Sequence, residues 1–498
     1  MTDLRLAGPA LACWGTIAAA LCLPLTVTWI LTACWTVGAL GAWLLIRVRP
    51  ATVAAAGVLG LCGIAAASAI ICAIRIAGAE QAPVRELAGT PELTLRVSGD
   101  PVVFARQGGA RLPVQVLEAD GWRQRTVNAS LMLRSSQMFD AVPGQQIAVR
   151  VRVRPPPSTL GDRLLAARLT AVEEPTVIAP APVWQRWAGA VRTRLQLTAA
   201  RALPPRAAGL FPGLILGDTT RLEPELRENF RAASLTHLVA VSGANFSLVC
   251  GAVVLGLRLA GASTRVTVAL GLASMVGFVI LVRPTDSVLR AAVMGGVGLL
   301  GALAARRAQA LPALGAAIIV VLLFWPQMAL APGFALSVVA TLGLVLWAAP
   351  LRQAMTRRGM PEPLAVLLAM TLAAQILTTP LVIAVSGQLS LVAVPANLLA
   401  APVIGVIALL GTGAAVIGAL GPPGGPGALA AEWLIRATGP EMWWLLTVAD
   451  RLGGPRWSAP EVPGWQAAVV VTLLGVFGVA AWRARRRPRR ASASRDTD

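Results

Sequence analysis

The stretch VTVALGLASMVGFVILV, residues 266–282, is an uncharged run held between Arg265 and Arg283. As a helix rising about 1.5 Å per residue it would be about 25 Å long, close to the hydrocarbon thickness of a bilayer. Working outward, comparable blocks lie near residues 10–23, 27–46, 52–76, 235–257, 287–304, 310–325, 329–349, 363–385, 391–418, 430–449 and 466–482. The chain is 56% hydrophobic and 13% charged, with a mean hydropathy of +0.70. These blocks predict a polytopic α-helical membrane protein of about 10–12 spans. The first block follows Arg5 and is expected to be a helix, not a secretory signal. Cys13, Trp14 and Cys22 interrupt it, and no small-residue cleavage site follows cleanly.

The formal charge is +20, and every basic side chain is arginine. Clusters at Arg47 and Arg49, Arg258 and Arg265, Arg306 and Arg307, Arg352, Arg357 and Arg358, and Arg483 to Arg490 are separated by even numbers of expected spans. Basic residues concentrate in cytoplasmic loops. The pattern therefore predicts cytoplasmic N- and C-termini and places the long polar segment 79–182 outside. The six cysteines all fall in apolar blocks without metal-ligand spacing and read as small hydrophobes.

The polar segment alternates with period two at Glu92–Ser98, Arg111–Glu118 and Gln146–Val153, with turn residues between the runs. Such strands predict an inserted external small β-barrel, OB-like in size. Arg150, Arg152 and Arg154 share one strand face and are candidates for external DNA binding, or form a solvated face; the segment carries twelve Arg against ten acidic residues. Residues 183–204 read as an interfacial amphipathic helix, with arginines interleaved among Trp187, Val191 and Leu195. The expected organisation is N-terminal transmembrane helices over 1–78, the β domain over 79–182, the amphipathic helix over 183–204, a transmembrane domain over 205–482 and a basic tail over 483–498.

The most informative segment is GLILGDTTRLEPELRENFRAASLTHLVAVSGANFS, residues 213–247. Polar residues crowd the start of an apolar helix here: His237, the single histidine, then Ser242, Gly243, Asn245 and Ser247. Intramembrane polar groups are costly and face a bundle interior or a wet cavity. Gly243 permits close helix approach or a local break.

Leu216-Gly217-Asp218, Pro224-Glu225-Leu226-Arg227, Phe230-Arg231 and His237 through Gly243 closely resemble the opening signature of the ComEC family of competence proteins. The similarity continues through Arg283-Pro284-Thr285-Asp286-Ser287-Val288-Leu289-Arg290, Pro332-Gly333-Phe334-Ala335-Leu336-Ser337, Ala373-Ala374-Gln375 with Thr379-Pro380, and Pro395-Ala396-Asn397. The segment 143–169 also resembles the family's external OB-like domain. The resemblance implies an inner-membrane channel for uptake of single-stranded DNA during natural transformation. On that reading the candidate path residues are Asp218, Arg227, Arg231, His237, Ser242, Gly243, Asn245, Arg283, Arg290, Ser337, Gln375 and Asn397. For Arg283 and Arg290 snorkelling to lipid headgroups stays open beside phosphate contact, and for Ser337, Gln375 and Asn397 helix–helix hydrogen bonding does.

Two departures bear on the transfer. Asn245 stands where the family usually has histidine, and the resemblance is to a form without the C-terminal metallo-β-lactamase-like domain. One histidine cannot build that domain's metal site, so no metal, cofactor or catalytic residue is expected. No nucleotide-binding loop is present, since that loop needs a lysine. The expected partners are therefore single-stranded DNA, membrane lipids, a periplasmic or external DNA-binding receptor, a cytoplasmic ATP-driven motor and a separate nuclease. Two other classes stay open: a secondary transporter of a small solute, and an intramembrane hydrolase using His237 and Ser242.

Overall fold

The computed structural model describes residues 4–48, 53–104, 109–119, 122–134, 141–156, 162–239, 243–303, 309–422 and 424–462, with 465, 469 and 473. Three helices open the chain: α1 (Ala7–Cys22), α2 (Leu25–Val48) and α3 (Val53–Glu80). Large apolar side chains project outward along α2, among them Ile30, Val37, Leu40 and Leu44, each more than half exposed. Such a surface suits hydrocarbon, and α2 hides its own polar groups. Thr32 and Thr36 each donate a hydroxyl to the carbonyl four residues back, at 2.9 and 2.7 Å.

Seven strands follow: β1 (Glu92–Val97), β2 (Val102–Phe104), β3 (Gly109–Ala119), β4 (Trp122–Arg134), β5 (Gln146–Arg154), β6 (Ala167–Ala171) and β7 (Thr176–Ala179). Pairing runs β1-β3-β4-β6-β5 and returns to β1, closing a five-stranded barrel. The β4–β6 pair is parallel and the other pairs are antiparallel. Period-two alternation makes this possible, because each strand sends one row inward; Leu93, Leu95, Leu112, Leu131, Ile147 and Leu169 are fully buried in one cluster. Closure leaves no free edge within the ring, while β2 and β7 flank β3 and β5. The barrel is tied to the first helices by Arg163, which donates to the Leu23 and Ala20 carbonyls and pairs with Glu80 at 3.1 Å.

The remaining helices are α4 (Val183–Ala202), α5 (Pro205–Leu216), α6 (Pro224–Ala232), α7 (Thr236–Val239), α8 (Gly243–Leu259), α9 (Thr264–Val282), α10 (Asp286–Leu303), α11 (Ala310–Phe324), α12 (Pro332–Gly343), α13 (Ala349–Thr356), α14 (Glu362–Ser386), α15 (Ala393–Ala419), α16 (Pro426–Ala437) and α17 (Gly439–Val448). A π-helical turn, Leu344–Ala348, makes α12 and α13 one continuous helix. Among the described residues seven helices are long and apolar enough to cross a bilayer, and α1, α8 and α11 are shorter apolar helices. The chain is thus a multi-pass membrane protein carrying a closed barrel.

One expected span is corrected. The block at 430–449 is two short helices, α16 and α17, of 12 and 10 residues. Gly439 and Pro440 open the second, and proline has no amide proton to continue the ladder of the first. The block at 466–482 and the basic tail lie outside the described residues. Helix α4 buries Ala188, Val191, Leu195 and Ala199 on one face, against α5, α9 and α16, and leaves Trp184 and Trp187 exposed.

The chain divides into two compact units, the first formed by residues 1–223, 237–335 and 403–443, the second by 224–236, 336–402 and 444–498. In the second unit α12 meets α14 so closely that a Cβ on Gly343 would sit 2.2 Å from the Ala373 carbonyl oxygen. Residues 387–391 and 458–462 run as paired extended segments, with Leu391 N donating to Ser458 O at 2.8 Å and Val462 N to Gly387 O at 2.8 Å. Helix α6 rests on the turn Ala449–Gly453, joined to it by Asn229 and Asp450 at 3.0 Å.

Candidate functional site

Helix α5 stops at Gly217, whose left-handed φ of +71° turns the chain back and delivers Asp218 to a buried corner, 7% exposed. Oδ1 of Asp218 accepts the Thr220 amide at 3.2 Å and its hydroxyl at 2.7 Å, while Oδ2 accepts Gln196 Nε2 of α4 at 2.6 Å. One turn earlier on α4, Arg192 stands 3.6 Å from the same oxygen and 3.4 Å from Oδ2 of Asp100, in the turn between β1 and β2. Arg192 also donates to the carbonyls of Leu281 and Val282, at 3.4 and 3.3 Å. These are orphan acceptors at the end of α9, where a cation is favoured by the helix dipole.

Arg283 completes the corner. It follows α9 with φ +79°, a conformation few side chains adopt, and its Nε lies 3.2 Å from Asp100 Oδ1. It also donates to Gln185 Oε1 at the start of α4. Burial pulls the Arg283 pKa down; Asp100 opposes that shift and Arg192 adds to it. Two arginines and two aspartates from the barrel, α4, the α5 turn and the α9–α10 joint thus balance in charge.

A second corner of the first unit joins three helix starts. Asp286 opens α10 and accepts the backbone N–H of Phe334 in α12. A Cβ on Gly333 would lie 2.5 Å from Asp286 Oδ2, so glycine is what admits the carboxylate. One turn along α10, Arg290 reaches the start of α8, its Nη2 lying 3.3 Å from where a Gly243 Cβ would be, and its Nη1 3.6 Å from Met294 Sδ. Asn245 on α8 is 7% exposed and donates to Leu214 O of α5 at 2.9 Å. With Leu214, Leu238, Ile404, Ile407 and Ala408 it lines a small cavity.

The other expected residues are placed as follows. His237 is exposed on the four-residue helix α7, and Ser242 lies outside the described residues. In the second unit Arg227 and Arg231 are exposed on α6; Arg231 meets Glu228 at 3.4 Å and donates to Ser386 O at the end of α14 at 3.3 Å. Gln375 donates to Thr379 at 3.1 Å and Asn397 to the Ala393 carbonyl at 2.8 Å, both within their own helices. Ser337 is half-buried on α12. On the barrel, Arg150, Arg152 and Arg154 all point outward from β5, Arg150 lying 3.8 Å from Glu173. Among the described residues no group of histidine, cysteine and acidic side chains could hold a metal ion.

Sequence reading did not find Asp100, Gln185, Arg192 or Gln196 as site residues. Asp100 stands in an ordinary turn sequence and the others on an amphipathic helix, so neither spacing nor composition separates them from a solvated face.

The fold and these corners define a polytopic membrane protein in which segments far apart in sequence pack against one another at helix starts. The competence protein family model matches residues 214–487, more than half of the chain, and the chain belongs to that family. Over 201 residues it is 31% identical to ComE operon protein 3 of Bacillus subtilis (strain 168), a match covering 40% of this chain and 25% of that protein. The chain thus aligns with about a quarter of that relative's length. No solved structure matches it.

Proposed function

We propose that this protein forms the inner-membrane channel through which one strand of incoming DNA enters a bacterial cell. The observation that carries the reading is the second corner. Three motif segments far apart in sequence, at Gly243, at Asp286 to Arg290 and at Gly333, pack together at the starts of three helices. A polyanion cannot cross hydrocarbon, and a path for it needs polar, basic or small groups at membrane depth. Arg290, Asn245 and the small residues around them supply that chemistry in one place. The relative's printed name, a protein of a ComE operon, fits a role in competence.

On this reading both termini face the cytoplasm and the barrel faces outward. The ring order β1-β3-β4-β6-β5, with β4 and β6 parallel, suits an OB-like barrel, and the outward arginines of β5 suit a phosphate backbone. The domain boundaries are those read from the sequence. The partners are single-stranded DNA, lipid, an external DNA-binding receptor, an ATP-driven cytoplasmic motor and a nuclease on another chain.

The test is deletion of the gene in its host, with uptake and chromosomal integration of supplied DNA as the readout. Loss of transformation, restored by the wild type and not by Arg290→Gln, is the expected result. Undiminished transformation in the deletion strain would refute the reading.

A further inference from the structure

The two carboxylates of the first corner are held very differently. Asp218 is 7% exposed and accepts three hydrogen bonds, from Gln196, the Thr220 amide and the Thr220 hydroxyl. Asp100 is 37% exposed, stands on the turn between two barrel strands, and touches its arginines at 3.2 and 3.4 Å. The receiving guanidinium groups are only 12% exposed and fixed from behind. Arg192 is anchored by Asp218 and the end carbonyls of α9, and Arg283 by Gln185. Two anchored guanidinium groups facing one replaceable carboxylate make a donor set for any anion that spreads a single charge over two oxygens. A phosphodiester is such an anion.

We propose that Arg192 and Arg283 form a phosphodiester site, and that Asp100 fills it until the backbone of a nucleic-acid strand displaces the carboxylate. The proposal rests on the channel reading and names a binding site within it. Exchange frees the β1–β2 turn from the α9–α10 joint, so arrival of a strand loosens the barrel at the point where Arg283 holds its left-handed conformation. Asp218 stays in place during the exchange, because it is 7% exposed and held by Gln196 and Thr220 as well as Arg192. Removing Asp100 leaves the corner with one uncompensated positive charge.

The experiment uses the full chain in lipid nanodiscs and a fluorescent oligothymidylate titrated over a salt series. Asp100→Asn keeps the shape of the side chain and removes its charge. It is expected to bind more tightly than wild type, because no carboxylate has to be displaced, with a log–log salt slope steeper by about 0.7, the increment for one more uncompensated positive charge facing a single strand. Adding Arg283→Gln to Asp100→Asn should return both quantities to the wild-type values. Wild-type binding with no gain, or a loss, in Asp100→Asn overturns the site and leaves the channel reading standing. Absence of binding by the wild type and all variants overturns both. Should Asp100→Asn not fold, wild-type hydrogen exchange decides: amides 97–100 should exchange faster with oligothymidylate bound, and unchanged exchange in the bound protein overturns the proposal.

Discussion

Gly343→Ala should loosen the contact between α12 and α14 in the second unit. The added Cβ would fall 2.2 Å from the Ala373 carbonyl oxygen. Carbon–oxygen contacts between helices settle near 3.3–3.6 Å, so the two helices must part by about 1 Å or the carbonyl must tilt away from its own ladder. A gap of that size forfeits up to about half of each lost dispersion contact along the seam, and overpacking of this kind costs about 1–3 kcal/mol. The neighbour is backbone, so no side-chain rotation relieves the clash. Gly277→Ala is the internal comparison. Nothing lies within 4 Å of that Cβ, and the substitution removes a glycine from the middle of α9, where alanine is the better helix former by up to about 1 kcal/mol. Thermal unfolding of the purified protein in detergent should show Gly343→Ala melting lower by about 1–3 °C and Gly277→Ala melting at or above the wild type. Equal midpoints for the two variants would refute the reasoning.

Two further outcomes follow from the sites. Leu214 O belongs to the last turn of α5, where carbonyls lack helical partners, and Asn245 Nδ2 fills that need at 2.9 Å. Asn245→Ala should therefore cost about 1–3 kcal/mol in unfolding free energy, measured by denaturant titration in detergent; an unchanged midpoint would remove Asn245 as that cap. On the barrel, changing Arg150, Arg152 and Arg154 together to Gln should lower the salt slope of single-strand binding by about 2, at about 0.7 per contact. A slope equal to the wild type would make β5 a solvated face only.

The barrel was legible because its strands each bury one row, and rows of period two survive in the sequence at Glu92–Val97 and Gln146–Arg154. Which strands pair to close the ring was not, since β1 pairs with both β3 and β5 and nothing local to β1 announces the second partner. Apolar block length separated membrane from water well, yet it misjudged 430–449, where Gly439 and Pro440 interrupt a run that also carries Glu432, Arg436 and Glu441. The second corner was half visible. Gly243, Arg290 and Gly333 could be singled out from their motifs, but their meeting required three helix starts to converge. Of the first corner only Asp218 and Arg283 were visible, because Asp100, Gln185, Arg192 and Gln196 are ordinary polar residues that acquire meaning only when α4, the barrel turn and the α9–α10 joint meet. Arg283 shows the difference. Its sequence context offered a phosphate contact, and the folded chain adds Asp100 and Gln185 as its neighbours.

Arg290 offers the sharpest separation of a conducting role from a structural one. It sits one turn into a helix that is apolar enough to span the bilayer, beside Gly243, Ala291 and the Met294 sulfur. A charge kept there for stability should be missed when it is removed: breaking a buried pair strands the other member and costs about 3–5 kcal/mol. Arg290→Met preserves much of the side-chain volume and apolar stem while deleting the charge. Under the channel reading the variant accumulates as folded protein and still fails to restore transformation, while Arg290→Lys, which keeps the charge and loses the planar fork, restores part of it. A fall in stability of that size, with transformation declining only in step with the amount of folded protein, would assign Arg290 to the scaffold and move the search for the path to other residues.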